Sequence, residues 1–335
     1  MLRRVRMLLE IKNLTVDIKI KDKYYPVLNN LNFSIKEGEV LGLVGESGSG
    51  KSVTAYTIMG LLNDRFKVVS GSIIFEGKDL LKMSLEQRRK MLGKEMSIIF
   101  QNPLNALNPL LTIYDQMAEM FTIHNPKISK KEIKKRVIEA LEEVQLENPE
   151  KVIKKYPHEF SGGQRQRILI AMAILNHPKL LIADEATTAL DVTVQYRILR
   201  LLKSLCYKYK TTLIVISHNL GLIKYMSQQV IVMYTGQIME SARVKEIIGN
   251  PAHPYTRELL ALLPENAVKG ENIHAIEGRV PSILEKKENC HFYPRCKYRQ
   301  QKCLEEKIVN REINKEHYAY CIGIGEADEG FTTEH

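Results

Sequence analysis

The most constraining feature of the chain is the run EVLGLVGESGSGKS at positions 39–52. EVLGLV is a nearly continuous apolar stretch, the pattern of a strand covered on both faces. Directly behind it lies GESGSGKS (45–52), with glycine at 45, 48 and 50, and then SVTAYTIMGLL, which reads as a helix. Glycine has no Cβ, so such a turn lets backbone N–H groups close around an anion. The pattern is G-x-x-x-x-G-K-[ST] in the strand–loop–helix setting that the motif needs. Gly45, Glu46, Ser47, Gly48, Ser49, Gly50, Lys51, Ser52 and Val53 are therefore expected to cradle phosphates at a helix N-terminus, with the N–H groups of 46–52 turned inward. Lys51 would reach the β- and γ-phosphates, and the Ser52 hydroxyl would bind Mg2+.

A cradle of this kind needs a carboxylate strand beside it. KLLIADE (179–185) supplies one, with Asp184 placed for the Mg2+ shell and Glu185 placed to polarise a water. TTLIVISH (211–218) is a second buried-strand candidate, and TVQYRILRLLKSLCYKY between the two is helical. Strands alternating with helices predict an α/β fold with a mostly parallel sheet. Residues 8–20 alternate apolar and polar as a half-buried strand does, SGSIIFEG (70–77) reads as a short edge strand, and 229–242 reads as a hairpin. Ile133, Val137, Leu141 and Val144 fall at helical spacing in a charged surface helix, and 164–175 form another helix. NPAHPY (250–255) marks a joint.

Composition narrows the class. Hydrophobic residues make up 44% and charged residues 26%, as in an ordinary globular protein. No apolar stretch reaches the roughly 20 residues that span a bilayer. Residues 1–6 precede Met7 without an apolar secretory core and are expected to be a leader or an alternative start. The net charge is +10, but the lysines are spread along the chain and not interleaved with aromatics. That spread argues against a nucleic-acid footprint and also suits work at the anionic inner face of a membrane, the charge being weak evidence for either.

FSGGQRQR (160–167) gives these motifs a family. With the two phosphate-site segments, it resembles the LSGGQ signature of ATP-binding-cassette ATPases, Phe160 standing for the Leu. The resemblance covers about residues 7–255 and implies a P-loop (RecA-like) core, an N-terminal antiparallel β subdomain and a helical subdomain inserted at about 102–175. It also implies that two cassettes sandwich two ATP molecules head to tail. Ser161, Gly162, Gly163 and Gln164 would then face the nucleotide of a second cassette. By the same resemblance Gln101 is the Q-loop glutamine touching Mg2+ or water, Asp191 the D-loop aspartate and His218 the switch histidine at the γ-phosphate. Tyr24 or Tyr25, with Tyr25 preferred, would stack on adenine.

Finer resemblance points to the ATPase subunits of dipeptide, oligopeptide and nickel importers. FQNPLNALNP (100–109), HPYTRELLALLP (253–264) and GRVPSIL…CHFYPRC (278–296) are similar to their segments, with Asn289 and Lys297 departing from the usual Gly and Pro. This implies an ATPase that drives peptide uptake from the cytoplasmic face of the membrane. Two membrane-spanning permease subunits, a second and often distinct cassette chain, and an extracytoplasmic binding protein are its implied partners. A nickel importer of the same family is the alternative. A non-transport cassette ATPase of DNA repair or translation, and a metal-cluster redox protein with a regulatory P-loop, are rival classes. A single cassette with a complete hydrolytic set disfavours both.

The chain has five cysteines. Cys206 stands alone in an apolar helix and reads as core. Cys290, Cys296, Cys303 and Cys321 are spaced C-x5-C-x6-C-x17-C in the tail, 256–335. Four thiolates can hold Zn2+ or a [4Fe–4S] cluster. Zinc sites favour C-x2–4-C knuckles, which are missing here, and the family resemblance implies the cluster. Disulfides and four unrelated thiols remain open.

Overall fold

The computed structural model describes residues 6–101, 106–187, 191–263, 276–285, 289–306 and 308–323. Most of the leader, part of the Q-loop segment at 102–105, residues 188–190 of the D-loop stretch and the end of the tail lie outside them.

The apolar runs form the middle of an eight-stranded sheet. Its order is β11 (Arg311–Asn314), β12 (His317–Ala319), β10 (Gln237–Arg243), β9 (Gln229–Tyr234), β3 (Val40–Val44), β8 (Thr212–Ser217), β7 (Leu180–Asp184) and β6 (Met96–Ile99). From β9 to β6 the pairing is parallel. Side chains alternate across such a sheet, and both faces are used. Val40 and Val44 enter one core with Leu181, Ala183, Leu213 and Val215. Leu41 and Leu43 enter the other with Leu180, Ile182, Ile214 and Ile216. This explains why the strands read as uninterrupted hydrophobic runs. Gly42 permits the close passage of a helix: a Cβ there would lie 2.3 Å from Ile223 Cγ2.

A second, antiparallel sheet has the order β2 (Lys23–Lys36), β1 (Met7–Ile20), β4 (Phe66–Phe75) and β5 (Lys78–Asp79). β4 is longer than the edge strand read from 70–77, because Phe66, Lys67 and Val68 also pair with β1, and it is interior, because Ile74 and Phe75 pair with β5 on its other side. Polar residues in that half, such as Lys67, hid the strand from a hydrophobic count.

The longer helices among the described residues are α1 (Lys51–Met59), α2 (Leu85–Met91), α3 (Ile113–Thr122), α4 (Lys130–Glu143), α5 (Gly162–Ile174), α6 (Val192–Tyr209), α7 (Leu220–Met226), α8 (Val244–Gly249) and α9 (Pro254–Ala261). In α4, Ser129 caps the first turn by accepting from the Glu132 N–H. Its Ile133, Val137 and Leu141 are buried at the expected spacing.

The boundary expected after residue 255 falls inside α9. The chain does not leave the core there, because the buried Glu240 carboxylate on β10 accepts the N–H groups of Ala252 and His253, each at 2.8 Å. Beyond it, β12 pairs with β10, placing Glu240 opposite Ala319. His317 Nε2 lies 2.8 Å from Glu240 Oε1, with both side chains fully buried. The tail is thus fastened to the sheet by backbone pairing and by one buried carboxylate.

Candidate functional site

The cleft at the C-terminal ends of the parallel strands gathers groups that are distant in sequence. Glu46, Ser47, Gly48, Ser49, Gly50, Lys51, Ser52 and Val53 line it together with Gln101, Glu185 and His218. Gly45 begins the loop with φ 155°, and a Cβ there would lie 2.1 Å from the Met233 carbonyl oxygen. Only glycine fits at that closeness. Lys51 folds back over the loop and donates to Gly45 O at 2.7 Å, Glu46 O at 2.9 Å and Ser49 Oγ at 3.1 Å. Burial pulls its ammonium below the ordinary lysine value, while the carboxylates of Glu185, Asp184 and Glu46 act to keep the proton.

Asp184 ends β7 and is buried. The Ser52 hydroxyl donates to its Oδ1 at 3.0 Å, and its buried Oδ2 has no hydrogen-bond partner. Burial pushes the carboxyl above its ordinary range, against the Ser52 bond and with the Glu185 charge adding to the effect. A hydroxyl and an under-satisfied carboxylate side by side fit an oxygen-ligated divalent cation such as Mg2+.

Glu185 sits between two partners: Gln101 Nε2 donates to its Oε2 at 2.8 Å, and His218 Nδ1 lies 3.3 Å from its Oε1. Its φ of 46° is left-handed, a conformation that costs a non-glycine residue on the order of 1–3 kcal/mol. The Glu185 N–H donates to Ile216 O at 3.0 Å, so the neighbouring strand holds the turn. Gln101, Glu185 and His218 thus converge on the end of the cleft beyond the loop.

Other expected positions lie elsewhere. Ser161 caps α5 in a reciprocal box with Gln164: its N–H donates to Gln164 Oε1 at 3.0 Å, and its Oγ accepts the Gln164 N–H at 3.4 Å. Ser161, Gly162, Gly163 and Gln164 do not line the cleft of their own chain. Asp191 caps α6 by accepting the Val194 N–H at 3.0 Å. Tyr25 is half-buried on β2 and does not line the cleft, whereas Val27 does.

Not every N–H of 46–52 turns inward, because Glu46 donates its own to Tyr255 Oη at 3.0 Å, 209 residues on. The Glu46 carboxylate is clasped by Arg295, with Nη1–Oε2 at 2.6 Å and Nη2–Oε1 at 3.1 Å. Leu259 and Leu262 from and beside α9 complete the lining. Sequence reading missed these contributors. HPYT and YPRC were visible as tail segments, but no local pattern says that they face a loop more than 200 residues earlier.

In the tail, Cys290, Cys296, Cys303 and Cys321 line one cavity of about 90 Å³ with His253 and Phe292. All five cysteines are free thiols. Burial pushes Cys290 up to about 12 and Cys296 up to about 11, and it raises Cys321; the neighbouring thiols add to each shift. Among the described residues no group of three or more His, Cys, Asp or Glu is placed to hold a metal ion. Cys206 is buried at the core and pushed up to about 12 by that burial.

With this geometry in place, comparison with known proteins is decisive. The family model for ABC transporters matches residues 28–188, and that for the oligopeptide/dipeptide transporter C-terminal region matches 239–303. The oligopeptide transport ATP-binding protein AppD of Bacillus subtilis (strain 168) is 43% identical over 88% of this chain and 90% of its own length. OppD of the same organism is 44% identical over 94% of this chain and 88% of its own. The chain belongs to the ABC transporter family. It is an ABC-type ATPase. OppD of Haemophilus influenzae (strain Rd) is 42% identical over 88% of this chain and 91% of its own. Among solved structures, the dimeric post-hydrolysis state of the ATP-binding cassette MJ0796, bound to ADP and Pi, superposes with a TM-score of 0.63 at 28% identity. It covers 70% of this chain and 98% of that one. CbiO1 from Clostridium perfringens gives 0.62 at 29% identity, covering 73% of this chain and 91% of its own. No helix among the described residues is long and apolar enough to cross a membrane.

Proposed function

We propose that this chain is the ATP-hydrolysing subunit that powers uptake of dipeptides or oligopeptides through an ABC importer. The observation that carries the reading is the single cleft in which Lys51 and Ser52 meet Gln101, Glu185 and His218, on a chain whose residues 239–303 match the oligopeptide/dipeptide transporter C-terminal region.

ATP binds with its phosphates against residues 45–52. Lys51 exchanges its backbone carbonyls for phosphate oxygens, and the N-terminus of α1 adds its positive dipole end. Mg2+, held by Ser52, Asp184 and Gln101, would neutralise charge on the β- and γ-phosphates. Ser161, Gly162, Gly163 and Gln164 serve the nucleotide on a second cassette, which accords with their lying outside their own chain's cleft. Closure of the two cassettes buries the γ-phosphate. Glu185 orients and deprotonates the attacking water, Gln101 fixes that carboxylate, and His218 contacts the γ-phosphate. Asp191 stands at the D-loop between the cassettes. Hydrolysis reopens the pair, a distinct cassette chain being the favoured partner.

The stroke passes to two membrane-spanning permease subunits at the cytoplasmic face, and an extracytoplasmic binding protein delivers the peptide. The segment after Gln101, roughly 102–125, receives the permease. Leu110 and Ile123, 83% and 66% exposed, supply apolar contact there. A strain lacking the gene should lose uptake of labelled peptides and regain it with the parent gene but not with Glu185→Gln. Normal peptide uptake, with lost tolerance of DNA damage, would reject the reading.

The four tail cysteines are assigned to a [4Fe–4S] cluster. Two features support this: they share one cavity, and its volume is several times the roughly 10–15 Å³ that a water-sized occupant needs. Such a group would staple the tail. Anaerobic purification with absorbance spectroscopy and iron and zinc analysis tests this; a colourless protein with one zinc overturns it.

A further inference from the structure

We propose that Arg295 is a positioning residue for nucleotide binding: it neutralises and anchors Glu46, and so keeps the phosphate loop receptive to a triphosphate. The proposal rests on reading residues 45–52 as the phosphate cradle.

Glu46 places a carboxylate on a loop whose task is to receive a polyanion. Left alone, that charge would repel the phosphates. It would also compete with them for Lys51, whose ammonium already feels the Glu46 charge. The fold answers with a guanidinium from the tail. The Arg295 side chain is only 4% exposed. Its two terminal nitrogens take both oxygens of Glu46, at 2.6 and 3.1 Å, in the paired geometry that only arginine offers.

The remaining donors of Arg295 are also placed. Nη1 reaches Tyr234 Oη at 3.2 Å, Nη2 reaches Ile276 O at 3.0 Å, and Nε reaches Glu277 O at 3.0 Å. The guanidinium therefore cannot swing toward a phosphate without breaking several bonds. It acts through Glu46 and is not itself a ligand. The Glu46 backbone is fixed as well, its N–H to Tyr255 Oη at 3.0 Å and its carbonyl to Lys51 Nζ at 2.9 Å. The tail thus sets both the position and the charge of one loop residue.

A structural tie and a positioning role differ in what rescues them. Nucleotide affinity, measured by equilibrium titration with a fluorescent ATP analogue and Mg2+, should weaken about tenfold or more in Arg295→Met. kcat at saturating ATP should stay within about twofold, because the reacting groups are untouched. Arg295→Lys should restore little, since an ammonium cannot span both oxygens. Adding Glu46→Gln to Arg295→Met should recover most of the affinity, since the orphaned charge is then gone.

Parental affinity in Arg295→Met would overturn the proposal. So would a double variant as weak as the single one, which would reduce Arg295 to packing. If Arg295→Met fails to fold, the same comparison between Arg295→Lys and Arg295→Lys/Glu46→Gln decides the matter. Lys51→Ala separates the underlying reading. If that variant binds nucleotide like the parent, the cradle assignment fails. If it loses binding while Arg295→Met keeps it, only the role of Arg295 fails.

Discussion

The Ser52 hydroxyl donates to Asp184 Oδ1 at 3.0 Å across 132 residues of chain. One residue lies in the first turn of α1 and the other closes β7, and the β3–β8–β7 pairing sets them side by side. Asp184 also carries a buried oxygen with no partner. Asp184→Asn keeps an acceptor for Ser52 but removes the charge that a cation needs. ATP turnover in Mg2+ should fall at least about a hundredfold. The melting temperature without nucleotide should hold or rise, because a buried charge has been removed. Parental turnover would mean that the cation is held elsewhere.

Glu185→Gln preserves an oxygen for the Gln101 Nε2 donor and deletes the base. Hydrolysis should drop by about 10²–10⁴-fold while ATP binding persists. Size-exclusion chromatography with ATP should then show a stable pair of cassettes. Turnover at the parental rate would assign the activation of water to another group.

Tyr255 is fully buried beneath the phosphate loop, in contact with the rings of Tyr234 and Phe292. Tyr255→Phe keeps that packing and removes the acceptor of the Glu46 N–H. Denaturant unfolding should register a loss of about 0.5–1.5 kcal/mol, the net contribution of one part-buried hydrogen bond. No measurable loss would show that the N–H finds another acceptor.

Glu240 sets the acid stability of the tail's attachment. Burial alone would raise its carboxyl. Hydrogen bonds from His317 and from the N–H groups of Ala252 and His253 outweigh that and hold it below the ordinary value of 4.5. A carboxyl lowered on folding stabilises at pH above its unfolded value, and the gain is lost as pH falls through the folded value. Stability should therefore decline below about pH 4.5. Glu240→Gln should lower stability at pH 7 by about 1–3 kcal/mol and flatten that decline. Unfolding curves at several pH values check both, and an unchanged slope would place the acid-sensitive group elsewhere.

The sequence by itself determined the local chemistry. A phosphate loop is legible because its glycines, Lys51 and Ser52 are contiguous and flanked by a strand and a helix. The same holds for Asp184 and Glu185 after LLIA, whereas Gln101, His218 and FSGGQ are marked only by their resemblance to cassette ATPases. The loop and the acidic strand end are short-range patterns set by backbone sterics or by alternation across a sheet.

Only the tertiary structure decided which of these groups meet. Parallel strand order brings Gln101 and His218 to opposite oxygens of Glu185, and keeps Ser161 away from the cleft of its own chain. It also returns the tail to the core, with Glu240 anchoring the turn into α9 and β12 extending the sheet. Tyr255 and Arg295 then reach Glu46. The physical reason is that non-local contacts depend on sheet order and on the filling of two cores, quantities summed over the whole chain and written in no single segment.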